Sequence, residues 1–190
     1  SKFIDIDLKD SLQKNSTYSF NFGQALVGNN EGNPLPFFKY VFSTGNYIDS
    51  LNISGNIRDS YNKDTDEFIT AMLYPIDSLY NDSIIYNGKP LYVSNTLDST
   101  NFNFTNLKKG IYKLVAIKDY NNNYKYDPLT EKIAFNQTLV SIPTDSLFDL
   151  KIFKESPEFK IFKPFQNDEN KINFGFQGDT ENLDIEIENE

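Results

Sequence analysis

Between Asp119 and Glu131 the chain carries oxygen donors in an alternating run. Asp119, Asn121 and Asn123 stand at relative positions 1, 3 and 5, the backbone carbonyl of Lys125 at 7, Asp127 at 9 and Glu131 at 13. Alternating oxygens in a tight loop can wrap a hard cation such as Ca²⁺, which takes about six to eight oxygen ligands in flexible geometry. The spacing therefore predicts a calcium loop held by Asp119, Asn121, Asn123, Lys125, Asp127 and Glu131. Two asparagines in place of aspartates lower the ligand charge and weaken the expected affinity. The competing reading is an Asn-rich turn closed by its own side-chain-to-backbone hydrogen bonds, with no metal.

A second recurring pattern is the tripeptide Asp-Ser followed by an apolar residue or threonine. It occurs with its serine at Ser11, Ser50, Ser78, Ser83, Ser99 and Ser146, more often than composition alone would place it. Asp-Ser is a good turn former ahead of a strand. Asn-x-Ser/Thr sequences at Asn15, Asn52, Asn81, Asn103 and Asn136 read as a by-product of asparagine richness.

Composition prunes the chemistry. The 190 residues include no Cys and no His, so no thiol nucleophile, disulfide, His-based zinc site or Ser-His-Asp triad can form. Paired carboxylates could still do acid–base work, yet most Asp and Glu residues fall in turn and tail segments, and no facing pair stands out. The net charge is −9 and the only arginine is Arg58. That balance excludes a nucleic-acid partner, which needs clustered cations, and disfavours an anionic membrane surface. No run is long and apolar enough for a transmembrane helix, and no signal-peptide pattern is read. The alternating start Ser1–Leu8 reads as the middle of a protein, so a leader or lipid-anchor cysteine is expected upstream.

The loop and the serines must be positioned by strands. Phe and Tyr are abundant, with Asn, Asp and Gly between them, the composition of pleated sheets joined by many turns. Period-two alternation marks residues 17–23, 37–45, 51–57, 69–74, 89–93, 102–104, 112–117, 131–135 and 137–142, with further strands in 149–163 and 171–176 around a polar loop at 166–170. The best helix candidate is a single turn at 77–82. This predicts an all-β fold, an antiparallel β-sandwich with little or no helix. Three units are expected: 1–47, 48–147, and 148–190 as added strands or the start of a further unit. Glu181–Glu190 alternates Leu183, Ile185 and Ile187 with acids and reads as a strand or pairing edge. The aromatic set Phe37, Phe38, Tyr40, Phe42, Tyr112, Phe135, Phe159, Phe162, Phe165, Phe174 and Phe176 is expected to fill sandwich interiors.

Particular segments resemble known families. The run Phe102-Asn-Phe-Thr-Asn-Leu107-Lys-Lys-Gly110-Ile-Tyr112-Lys-Leu114-Val-Ala116 resembles prealbumin-like (transthyretin-like) modules such as carboxypeptidase regulatory-like and collagen-adhesin B-type domains. The loop that follows is similar to the calcium loops of adhesin repeats. Its spacing also resembles an EF-hand loop, with Asn122 in place of a turn glycine and no flanking helices. Upstream, Thr17-Tyr18-Ser-Phe20, Gly32-Asn33-Pro34-Leu35 and Phe42-Ser43-Thr44-Gly45 resemble the last strands of a bacterial Ig-like domain. The order of the two resembles surface lipoproteins of Bacteroidota-type bacteria, and the Asp-Ser tripeptide resembles the O-glycosylation motif of that group.

These resemblances imply a non-catalytic structural or interaction module of an outer-membrane-attached, extracytoplasmic protein. Its implied partners are other envelope proteins, an outer-membrane complex among them. The alternative expectation is a carbohydrate- or ligand-binding module using exposed tyrosines at the loop end.

Overall fold

The structure, a computed structural model, describes residues 3–9, 11–23, 25–28, 31–35, 38–78, 80–156 and 158–178. The alternating segment at 181–190, and Phe37 of the aromatic set, lie outside the described residues. The fold is all-β. Its strands are β1 (Thr17–Asn21), β2 (Lys39–Ser43), β3 (Leu51–Asp59), β4 (Thr70–Pro75), β5 (Tyr92–Asn95), β6 (Asn101–Leu107), β7 (Gly110–Ile117), β8 (Lys132–Phe135), β9 (Val140–Ile142), β10 (Phe148–Lys154), β11 (Lys160–Ile161), β12 (Phe165–Asp168), β13 (Lys171–Asn173) and β14 (Phe176–Gln177), with one short helix, α1 (Ile84–Asn87).

Eight strands form one large sheet in the order β5-β4-β7-β8-β10-β3-β6, with β9 also paired to β7. All pairs are antiparallel except β3–β10, which run parallel with Phe148 opposite Gly55 and Ile152 opposite Asp59. Strand β10 therefore belongs to the same sheet as the strands between residues 51 and 142. The sheet curls until its two end strands meet. There the Ser94 hydroxyl on β5 donates to the Asn103 carbonyl on β6 at 2.9 Å and accepts the Asn103 N–H at 3.2 Å. One side chain thus satisfies two edge groups that would otherwise be open to pairing with another chain.

The sequence explains which strands sit centrally. In β4, Ala71 and Leu73 join the core inside the curl with Ile53, Ile57, Phe102, Phe104, Leu114, Leu150 and Ile152. Met72 and Tyr74 point to the other face, where they pack with Val115, Ile117, Tyr126 and Ile133 beneath Tyr80, Ile84, Ile85 and Phe153. Strands covered on both faces need a continuous apolar run, as in Ala71–Tyr74 and Leu114–Ile117. The helical turn expected at 77–82 lies instead at 84–87, because Ile84 and Ile85 are the residues that cover this second face.

Buried charge is stapled across the sheet end. The Asp59 carboxylate is nearly inaccessible and lies 2.7 Å from Lys132 Nζ, which also meets Asp66 at 2.6 Å. Burial alone would raise the Asp59 pKa. Hydrogen bonds from Lys132 and from the backbone N–H groups of Asn62 and Tyr61 outweigh it and hold this carboxyl well below the usual range.

Among the described residues, three two-stranded ribbons stand outside the sheet: β1–β2, β11–β14 and β12–β13. They correct the expectation that the aromatic set is core. Tyr112 is buried, but Phe38, Tyr40, Phe135, Phe159, Phe162, Phe165, Phe174 and Phe176 are all at least 40% exposed. Most of these rings lie on or beside ribbons, which have no second layer to cover them. Residues 166–168, expected within the polar loop at 166–170, lie in strand β12. Among the described residues no helix is long and apolar enough to cross a membrane.

Candidate functional site

The loop at 119–131 is the connection between β7 and β8. Val115 pairs with Phe135, Ala116 with Ala134 and Ile117 with Ile133, and the Lys118 N–H continues the ladder to the Lys132 carbonyl at 3.0 Å. Carried one residue further, this register sets Asp119 against Glu131 at the base of the loop. Both are buried: Asp119 is 8% exposed and Glu131 0%. Neither forms an ion pair among the described residues.

The carboxylates are held instead by N–H and O–H donors of the loop. Asp119 Oδ1 accepts the Asn123 N–H at 3.2 Å and Oδ2 the Tyr124 N–H at 2.9 Å. Glu131 Oε1 accepts the Tyr120 N–H at 3.2 Å and Oε2 the Asp127 N–H at 3.0 Å. Asn121 Oδ1 caps the Asn123 N–H at 3.1 Å, and Asn123 Oδ1 caps the Lys125 N–H at 2.7 Å. Asp127 turns toward the next residues, accepting from the Leu129 N–H at 2.9 Å and the Thr130 hydroxyl at 2.8 Å. Burial raises the Glu131 pKa, the two N–H bonds lower it, and the nearby Asp119 and Asp127 charges raise it again, leaving it above its ordinary value. Asp127 lies below its ordinary value, first through the Leu129 N–H and then the Thr130 hydroxyl.

The structure thus places the six predicted ligand residues on one loop and sets Asp119 and Glu131 opposite each other at its base. Among the described residues it does not draw three acidic side chains close enough around one point to hold a metal ion. The donor chemistry, oxygen throughout, suits a hard divalent cation. The hydrogen-bond pattern is the side-chain-closed turn that the sequence also allowed. Each carboxylate oxygen has accepted one hydrogen bond, which leaves a second lone-pair direction for a cation.

Sequence reasoning missed the residue that makes the sharp turn. Counted from Asp119, the sixth position, glycine in EF-hand loops, is Tyr124, and it adopts φ 58°, as Asn122 adopts φ 57°. A non-glycine residue in this region costs about 1–2 kcal/mol, and the Tyr124 N–H bond to Asp119 holds it there. The six serines of the recurring tripeptide, Ser11, Ser50, Ser78, Ser83, Ser99 and Ser146, all lie outside strands and are exposed.

A cleft of about 1120 Å³ opens between the β1–β2 ribbon and the large sheet, beside this loop. Thr17, Ser19, Asn21 and Lys39 line one wall, Tyr92, Asn95 and Thr105 the other, with Tyr120 and Tyr124 of the loop at one end. Period-two alternation turns Thr17, Ser19, Asn21 and Lys39 to the cleft, which Tyr18 and Phe22 also border. On the other face Phe42 stacks between Tyr18, Phe20 and Tyr40 at centroid distances of 5.5–6.1 Å. The signal was present as Lys39 within the aromatic run Phe38–Phe42.

No family model matches the chain, and neither does a curated protein or a solved structure.

Proposed function

We propose that the chain is a non-catalytic structural and interaction module of a bacterial envelope surface protein, stiffened by Ca²⁺ at the loop 119–131. The observation that carries the calcium part is the pairing of Asp119 with Glu131. Two buried carboxylates, directly opposed and without a cationic side chain, repel each other. A divalent cation held by Asp119, Asn121, Asn123, the Lys125 carbonyl, Asp127 and Glu131 would supply the missing positive charge, with Asp127 turning inward to join the others.

The interaction part is supported by the ribbons β11–β14 and β12–β13. Their Ile161, Phe165, Ile172 and Phe176 are each at least half exposed, an apolar display that marks contact surfaces. Other envelope proteins, an outer-membrane complex among them, are the proposed partners. An extracytoplasmic location with a lipid anchor upstream belongs to the same reading, as does O-glycosylation at the exposed serines.

Thermal melting tests the calcium part. A ligand that binds only the folded state at about 100 times its Kd adds about 2.7 kcal/mol. For a chain of this size that is a rise of roughly 5–10 °C in melting temperature. The rise is expected for the wild type on moving from chelator to millimolar Ca²⁺, and it should vanish in Asp119→Ala/Asp127→Ala. A melting temperature indifferent to both Ca²⁺ and chelator would refute it.

A further inference from the structure

Lys39 presents an electrostatic problem that the fold leaves unsolved. Its side chain is half-buried in the cleft between the ribbon and the large sheet, and its Nζ donates to the Thr105 hydroxyl at 2.7 Å. Among the described residues it has no carboxylate partner within ion-pair distance. Burial lowers its pKa, the sign of an ammonium desolvated without compensation. Two of its three N–H donors remain for something else.

The surroundings narrow the chemistry of that partner. Hydroxyl and amide groups line both walls among apolar side chains such as Leu91 and Phe104. Three lysines (Lys39, Lys108 and Lys118) stand against two carboxylates (Asp49 and Asp119), and Tyr120 and Tyr124 at the loop end are 60% and 43% exposed. Lys118 Nζ lies 5.6 Å from the Tyr120 ring centroid and donates to the Glu67 carbonyl at 2.5 Å, so it steadies that ring. On the large-sheet side the Ser94 hydroxyl already takes the Asn103 C=O and N–H where β5 meets β6, so an extended peptide would find those edge groups occupied. Aromatic rings beside amides and hydroxyls suit a ligand with apolar C–H faces and a polar rim, and Lys39 suits a carboxylate.

We propose that this cleft binds an oligosaccharide bearing carboxylate groups, with Lys39 meeting a uronate and Tyr120 and Tyr124 stacking on sugar faces. Lys39 lies on the ribbon, outside the loop 119–131 that carries Tyr120 and Tyr124, so the test is run in chelator and the Lys39 variants report separately from calcium binding by the loop. Trigalacturonic acid is titrated into the full chain by calorimetry, with its neutral methyl ester as comparison. The acid is expected to bind and the ester to bind about tenfold more weakly, the worth of one charge-assisted hydrogen bond. Lys39→Met should lower affinity for the acid about tenfold and leave that for the ester unchanged. Lys109→Met, on the exposed turn before β7, should change neither.

If Lys39→Met melts well below the wild type, Lys39→Arg and the rim variant Tyr120→Ala decide. The first should keep binding and the second should weaken both ligands. Absence of binding by the acid, equal binding of acid and ester, or affinity unchanged in both Lys39→Met and Tyr120→Ala would each overturn the proposal.

Discussion

Replacing Gly55 by alanine is expected to lower the melting temperature by about 10 °C or more, or to prevent folding. Gly55 lies in β3 between Phe148 of β10 and Phe102 of β6. A Cβ built on it would meet the Phe148 carbonyl oxygen at 2.1 Å and the Phe102 ring at 2.5 Å. The carbonyl is backbone of the neighbouring strand and cannot rotate away. The Phe102 ring is fully buried and packs edge-on against Phe104 at 5.8 Å. The clash is relieved only by prising β10 from β3, the sheet's parallel pair. Overpacking of this kind costs about 3 kcal/mol or more, and a chain of this size loses roughly 2–4 °C per kcal/mol. Circular dichroism melts of wild type and variant measure it, and a loss below about 2 °C would show that the two strands are less tightly apposed than described.

Glu131→Ala is expected to destabilise by about 2–4 kcal/mol even in chelator. The side chain is wholly inaccessible and accepts the N–H groups of Tyr120 and Asp127. Truncation leaves two donors without acceptors at the base of the loop, each costing about 1–3 kcal/mol. Loss of the repulsion from Asp119 and Asp127 offsets part of this. Glu131→Gln keeps one carbonyl acceptor and turns an amide donor toward the other N–H, so about half the loss is expected. Denaturant unfolding would report both values. An alanine variant as stable as wild type in chelator would mean that water replaces the carboxylate without cost and that Glu131 does not hold the loop.

How much of this was legible depends on the kind of signal. Strands β1 and β3 follow from period-two alternation. Strands β4 and β7 are found by the same pattern, but that their runs Ala71–Tyr74 and Leu114–Ile117 are covered on both faces is visible only in the fold. The parallel pairing of β3 with β10 joins residues about ninety apart in the chain, and no local pattern encodes it. The exposed phenylalanines of residues 159–176 were misread because alternation looks the same in a two-stranded ribbon as in a sandwich layer. In the loop, spacing alone picked out the oxygen donors. That Asp119 faces Glu131 follows from the β7–β8 register, which depends on where β8 begins. The left-handed Tyr124 went unrecognised because tyrosine seldom adopts that backbone. Lys39 was hidden inside an aromatic strand whose polar face mattered more than its rings.

The most direct test of the calcium-stiffened module is calorimetric titration of Ca²⁺ into chelator-stripped wild-type protein, with Asp119→Ala/Asp127→Ala in parallel. The account predicts one Ca²⁺ bound per chain by the wild type and none by the double variant. No binding by the wild type at millimolar Ca²⁺, or equal binding by the variant, would contradict it and leave the loop a turn closed by its own hydrogen bonds.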